Sequence, residues 1–214
     1  MIILDLEQGS PEWGAARLGI PTASQFSRLL TPTGKPSTSA NGYMDELLAE
    51  RLLGASLDQV TTDWMRRGRE LEASAVRYYE LQRDCDTKAI GFVLRDDGKC
   101  GCSPDRLVGE DGLLEIKCPG AKTHVTYLRG DVSAAHKPQT QGQLWICERE
   151  WCDVLSYHPE MPPALVRVDR DEAYIKALAT VVAQFAARLD AESTKLTADQ
   201  EASGLERGDQ GGER

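Results

Sequence analysis

The chain has 214 residues, 41% of them hydrophobic and 28% charged, which suits one globular domain with a core of ordinary size. A net charge of −9 and an isoelectric point near 4.9 argue against a protein that coats nucleic acid non-specifically, although a local basic channel is compatible with an acidic total. No stretch approaches a membrane span, the start MIILDLEQGSPEW lacks the regions of a signal peptide, and the six cysteines have neither a disulfide-framework nor an iron–sulfur spacing, so a reduced cytoplasmic protein is expected.

Residues 10–18 read as a short helix with Ser10 as N-cap and Pro11 at its first position. A second short helix is expected from Thr22 through Leu30, with Ser24 as its cap. Residues 31–42, rich in Pro, Ser, Thr and Gly, read as a loop. Helical periodicity follows at 43–53 and 61–83, the latter placing Leu71, Ala75, Tyr78 and Tyr79 along one side. Strands are predicted at 88–95, 99–108 and 113–118, a helix at 138–149, strands at 151–158 and 164–169, and a long amphipathic helix at 171–192. Trp13 and Trp145 read as packing aromatics. From Ser193 the composition turns polar and a frayed tail is expected, giving one domain over 1–192 and a flexible segment over 193–214. Helices, then a mixed sheet, then a closing helix describe an α/β or α+β layer fold.

The segment most informative about chemistry is Ser103-Pro104-Asp105, followed by Leu114-Glu115-Ile116-Lys117. Alternation along a strand puts Glu115 and Lys117 on one face. The polar turn GEDG between the two segments makes a β-hairpin that carries Asp105 beside Glu115. Two carboxylates and a lysine then converge where a hard cation such as Mg²⁺ can be held by Asp105, Glu115 and the Ile116 carbonyl. Such a cation can polarise a phosphodiester, and Lys117 can orient water or neutralise transition-state charge. The competing reading is a charged hairpin with one cross-strand ion pair. Against it, Leu114, Ile116 and Cys118 give a core strand, where charges are costly unless they bind something. His124, His136 and His158 lack ligand spacing.

Four ordered blocks extend the pattern: QGSPEWGAARLGIPTASQF, GRELEASAVRYYE, CGCSPDRLVGEDGLLEIKCP, and HKPQTQGQLWI followed by YHPEM. With them the chain, over roughly residues 8–190, resembles the lambda-type exonucleases, also called YqaJ-like viral recombinases, of the restriction-endonuclease-like superfamily. The resemblance implies a mixed central sheet flanked by helices. It also implies a Mg²⁺-dependent enzyme, with Mn²⁺ as a substitute, that digests one strand of linear duplex DNA from the 5′ end. The resulting 3′ overhangs would pass to a single-strand annealing protein. The well-known member is a ring-shaped trimer, so a homo-oligomer is expected, phage- or prophage-encoded and acting in bacterial cytoplasm. Asp105, Glu115 and Lys117 fall on the family's catalytic triplet, and Glu72 on its helix-borne acidic metal ligand; the alternative for Glu72 is a solvent-facing carboxylate. Arg17 and Ser24 match a 5′-phosphate pocket that Ser103 can also reach, the alternatives being a surface arginine and a helix cap. Gln141 aligns best with a phosphate-contacting glutamine, with Gln139 and Gln143 in the same block; the alternative is a polar helix face. An endonuclease of the same superfamily and a non-catalytic DNA-end-binding protein remain competing functions.

Overall fold

The computed structural model describes residues 1–57 and 63–208, so positions 61 and 62 of the third predicted helix and 209–214 of the tail lie outside the described residues. Two sheets share the core. The smaller has the order β1 (Ile2–Leu4), β3 (Phe92–Leu94), β4 (Gly101–Cys102), all antiparallel. The larger runs β2 (Thr87–Lys88), β5 (Arg106–Val108), β6 (Gly112–Lys117), β7 (Trp151–Ser156), β8 (Ala164–Asp169), with β6 and β7 as its one parallel pair.

The predicted strand at 99–108 is therefore two strands in two different sheets. Pro104 accounts for the break: it has no N–H to donate and a fixed φ, so the ladder stops and Ser103-Pro104-Asp105 becomes a bend between the sheets. The side chain of Gln8 fastens that bend, its Nε2 donating to the carbonyls of Pro104 at 2.9 Å and Ile90 at 2.8 Å. Beyond the bend, β5 and β6 form the expected hairpin, Arg106 opposite Leu114. Gly112 opens β6 because the Trp151 ring lies against it; a Cβ there would stand 2.2 Å from the ring.

Helix α1 (Pro11–Arg17) follows its sequence signals, with Ser10 Oγ accepting the Trp13 N–H at 3.1 Å. The segment after it differs from expectation. Ala23–Arg28 is a 3₁₀ helix flanked by Thr22, and Ser24 lies exposed inside it rather than capping it. Helix α2 (Ala40–Leu53) begins within the predicted loop and ends at Gly54. Helix α3 (Asp63–Arg83) packs Ala75 and Tyr79 against Val108, Leu114 and Leu155 on one face of the large sheet.

The parallel β6–β7 crossover contains helices the sequence reading did not mark. These are α4 (Ala121–Thr126) and a π-turn (Tyr127–Asp131) broken at Gly130, leading into α5 (Val132–Cys147). Helix α5 starts six residues before the predicted position 138 and carries Pro138 inside it. With α6 (Glu172–Gly208) it covers the opposite sheet face, where Leu113, Val154, Leu144, Ile146, Leu178 and Val182 meet. Helix α6 does not stop at Ser193. The stretch beyond is largely polar but holds good helix formers and no proline, and Leu196 still packs against the core.

Candidate active site

Glu115 and Lys117 alternate along β6 and point to the α5 side of the sheet. Glu115 is 3% exposed. Its Oε1 accepts from Lys117 Nζ at 2.7 Å and from Gln139 Nε2 at 2.6 Å, and its Oε2 accepts from Gln143 Nε2 at 2.6 Å. Lys117 Nζ also donates to Gln139 Oε1 at 3.0 Å, closing a triangle. Gln139 and Gln143 are one helical turn apart on α5 and so face the strand together.

Asp105 enters from the bend. Its Oδ2 accepts the Ile116 N–H at 2.5 Å, which pins the hairpin's first carboxylate to the strand carrying the second. Burial pushes the Asp105 carboxyl well above its usual range; Glu115 pushes the same way, the Ile116 N–H and Lys117 oppose, and Glu72 adds to the rise. Glu72 approaches on α3 from the other side of the sheet, half-buried, and pairs with Arg106 at 3.5 Å. For Lys117, burial disfavours the charge, but Glu115 and then Asp105 outweigh it and hold the ammonium above its ordinary pKa.

Asp105 and Glu115 are thus buried beside Lys117, and the half-buried Glu72, paired with Arg106, adds its negative charge to Asp105. Among the described residues no three His, Cys, Asp or Glu side chains already form a ligand cluster: Glu115 is turned onto Lys117 and the glutamines, Asp105 onto the strand. The donor set nevertheless fits a hard divalent cation. Every donor is oxygen, and beside the burial that chiefly raises the Asp105 pKa, Glu115 and Glu72 push it the same way, a repulsion that a cation would relieve.

A second cluster adjoins the first. The Arg17 guanidinium lies 4.0 Å over the Trp13 ring, and the Trp13 indole N–H donates to Ser103 Oγ at 2.9 Å. Nearby, Thr22 donates its N–H to Tyr43 Oη at 3.1 Å, and Thr22 Oγ1 meets Ser24 Oγ at 3.2 Å. Arg17 and Ser103 are therefore joined through Trp13, and Ser24 is tied by Thr22 to Tyr43, whose hydroxyl feels the Arg17 charge; Ser103 is two residues from Asp105.

The sequence profile of the YqaJ-like viral recombinase domain matches residues 12–150, a span containing every residue of both clusters. The chain belongs to that family. Among solved structures it is similar to an alkaline exonuclease, LHK-Exo, from Laribacter hongkongensis, also solved in complex with dAMP. Each of these two structures is 34% identical with a TM-score of 0.81, over 92% of this chain and 100% of that one. A phage-related exonuclease from Haemophilus somnus 129PT shares the fold at 15% identity and TM-score 0.67, over 83% and 96% of the two chains. A comparison with curated protein sequences gives no match. The restriction-endonuclease-like, mixed α/β fold expected from the sequence is thus the fold of this recombinase domain.

Gln141, which aligned best with a phosphate contact, is not brought to either cluster. It is buried between α5 and the end of β8, donating to the Asp169 carbonyl and accepting the Asp171 N–H, both at 2.8 Å. Residues two apart on a helix point to different sides, so Gln139 and Gln143 reach Glu115 while Gln141 cannot. Nor does Ser24 cap a helix whose N–H groups could attract an anion; it offers a hydroxyl alone. Ser103 and Asp105 fall within the predicted strand 99–108 but occupy the bend.

Sequence reasoning passed over several site residues. Trp13 read as packing, yet it joins Arg17 to Ser103. Gln143 stood in the QTQGQ block without a role, although its spacing of four from Gln139 was the available signal. His136, one turn before Gln139, shares a 2.8 Å hydrogen bond with the Tyr127 hydroxyl. Burial, then Lys117, push its pKa down to about 4, so it stays neutral beside the lysine. The His124 and His158 rings are tilted against each other at 33°, centroids 5.7 Å apart, and His124 bonds Ser156 and the Pro162 carbonyl.

Proposed function

We propose that this recombinase-family protein is a Mg²⁺-dependent 5′→3′ exonuclease, with Mn²⁺ as a substitute, acting on linear double-stranded DNA from 5′-phosphorylated ends and leaving 3′ overhangs. The observation that carries the reading is the junction of the two clusters: the carboxylate–lysine site and the Arg17 cluster meet at Ser103-Pro104-Asp105. Glu72, Asp105 and Glu115, with the Ile116 carbonyl, would hold the cation, which when bound polarises the phosphodiester and offsets charge developing on it.

The chain's own groups do the rest. Arg17 can grip a terminal phosphate with two parallel hydrogen bonds, and the hydroxyls of Ser103 and Ser24 can donate to its remaining oxygens. Ser103 is suited to this because Trp13 donates to its oxygen, leaving its own proton for an anion. Lys117, held by Glu115 and Gln139, keeps a proton at Nζ and can stabilise the charge that builds on the phosphoryl oxygens. The dAMP complex of the Laribacter exonuclease, at 34% identity, supports a site that accommodates a mononucleotide. On the resemblance noted above, the proposal extends to a closed homo-oligomer, a single-strand annealing partner and action in bacterial cytoplasm. Among the described residues no helix is long and apolar enough to cross a membrane.

The test is digestion of an end-labelled linear duplex with Mg²⁺, one 5′ end phosphorylated and the other bearing a hydroxyl. Preferential release of mononucleotides from the phosphorylated strand is expected, with that preference lost in Arg17→Ala. Internal cuts, or equal digestion from both ends, would move the protein to another nuclease class.

A further inference from the structure

The two glutamines Gln141 and Gln143 differ by two positions and are equally buried, 1% exposed each, yet their amides are used in opposite ways. Gln141 satisfies both ends against backbone, as a glutamine with a purely structural task does. Gln143 donates Nε2 to Glu115 Oε2 at 2.6 Å and leaves its Oε1 buried without a partner among the described residues. Turning the amide over would not repair this, because it would set two oxygens against each other at Glu115. The orientation of Gln143 is therefore dictated by the carboxylate and not by its own hydrogen-bonding needs.

The acceptor count on Glu115 shows what this accomplishes. A carboxylate has about four acceptor positions, two on each oxygen. Among the described residues, Oε1 takes two donors, Lys117 and Gln139, while Oε2 takes one, Gln143. The unfilled position is on Oε2, and the donor that fixes the direction of Oε2 is Gln143. Being neutral, Gln143 holds the oxygen without cancelling its charge, which an arginine or lysine there would do. Gly142 makes room for this arrangement. A Cβ at that position would meet the Phe26 ring at 2.5 Å, so glycine lets the 3₁₀ segment close against α5 at this turn.

We propose that Gln143 is a positioning residue for divalent cation binding: it holds Glu115 Oε2 so that the one unfilled acceptor position of that carboxylate is aimed. The inference rests on the metal-dependent reading above and deepens it.

The test is calorimetric titration of the full chain with Mn²⁺, without DNA, beside its thermal melting curve. Gln143→Met, close in volume, should bind Mn²⁺ about tenfold more weakly while its melting temperature stays near that of the parent, since the orphaned acceptor leaves together with the donor. Gln141→Met should behave in the opposite way, melting lower and binding Mn²⁺ as the parent does. Parent-like Mn²⁺ affinity in Gln143→Met overturns the proposal while leaving the metal site standing. Absence of Mn²⁺ binding in the parent chain overturns the metal reading itself and this proposal with it. Should Gln143→Met fail to fold, Gln143→Ser, which leaves space for water but cannot reach Glu115, carries the same comparison.

Discussion

Two carboxylates lie buried on neighbouring strands of the large sheet, Glu115 on β6 and Asp153 on β7, and they serve different ends. Asp153 is 0% exposed and faces α3. It accepts from the Tyr79 hydroxyl at 2.9 Å and from Arg167 Nε and Nη2 at 2.8 and 2.9 Å, with Arg83 3.4 Å away. Burial, then this hydrogen bond to Asp153, push the Tyr79 phenol far up, so it remains a donor. Glu115, facing α5, is almost as buried, but one ammonium and two neutral amides surround it, and that ammonium is shared with Asp105. Burial alone therefore does not mark a functional acid. What differs is the immediate partners: Asp153 is closed in by two arginines and a phenol, whereas Glu115 meets one ammonium and two neutral amides.

The largest effect should come from Lys117. Replacing it by Ala is expected to lower nucleotide release by at least about 10²–10³-fold, the scale for losing one pre-aimed charge at a developing anion. Duplex binding should be largely retained in a filter or anisotropy assay. Unchanged cleavage would remove Lys117 from the chemistry and erase the distinction between the two carboxylates.

Next comes stability. Asp153→Ala strips the counter-charge from Arg167 and Arg83 and the acceptor from Tyr79, at a cost of about 3 kcal/mol in urea unfolding. Glu115→Ala should cost less than half of that in metal-free buffer, because it also relieves Asp105, while abolishing cleavage. Equal costs would mean that both carboxylates are structural.

The smallest effect is a slope. Folded Asp105 keeps its proton to higher pH than its ordinary value of 3.8. Between those two pKa values the fold binds the extra proton, so stability falls as pH rises through that window. Melting temperatures in chelator should show this decline, and Asp105→Asn should flatten it. A decline that survives in Asp105→Asn would place the raised carboxyl elsewhere.

The hairpin was legible in sequence because strand alternation and a Gly-flanked turn are local signals, and β5–β6 pairs as they require. The flanking helix of Glu72 was legible from its periodicity. What escaped was whatever depended on contacts across the chain. The Pro104 break could be seen, but not that the halves of the strand join different sheets. The glutamine block was visible, but which glutamine turns to Glu115 depends on where α5 begins, and its start at Val132 was hidden by the unmarked π-turn. Trp13 had an ordinary amphipathic position, and only the approach of Ser103 from 90 residues away gives its indole a polar task. The end of α6 was misjudged for a different reason: polar composition was taken for loss of helix, although the propensities persist.

The bend between the sheets also carries a consequence for step length. Ser103 and Asp105 are separated by two peptide units, which cannot stretch beyond about 7 Å. Pro104 stiffens the span and Gln8 anchors it. On the proposed reading, one residue of this short bar touches the terminal phosphate and the other belongs to the cutting centre. The bar then acts as a ruler: each hydrolysis is measured from the end of the strand, and the product is one nucleotide long whatever its sequence.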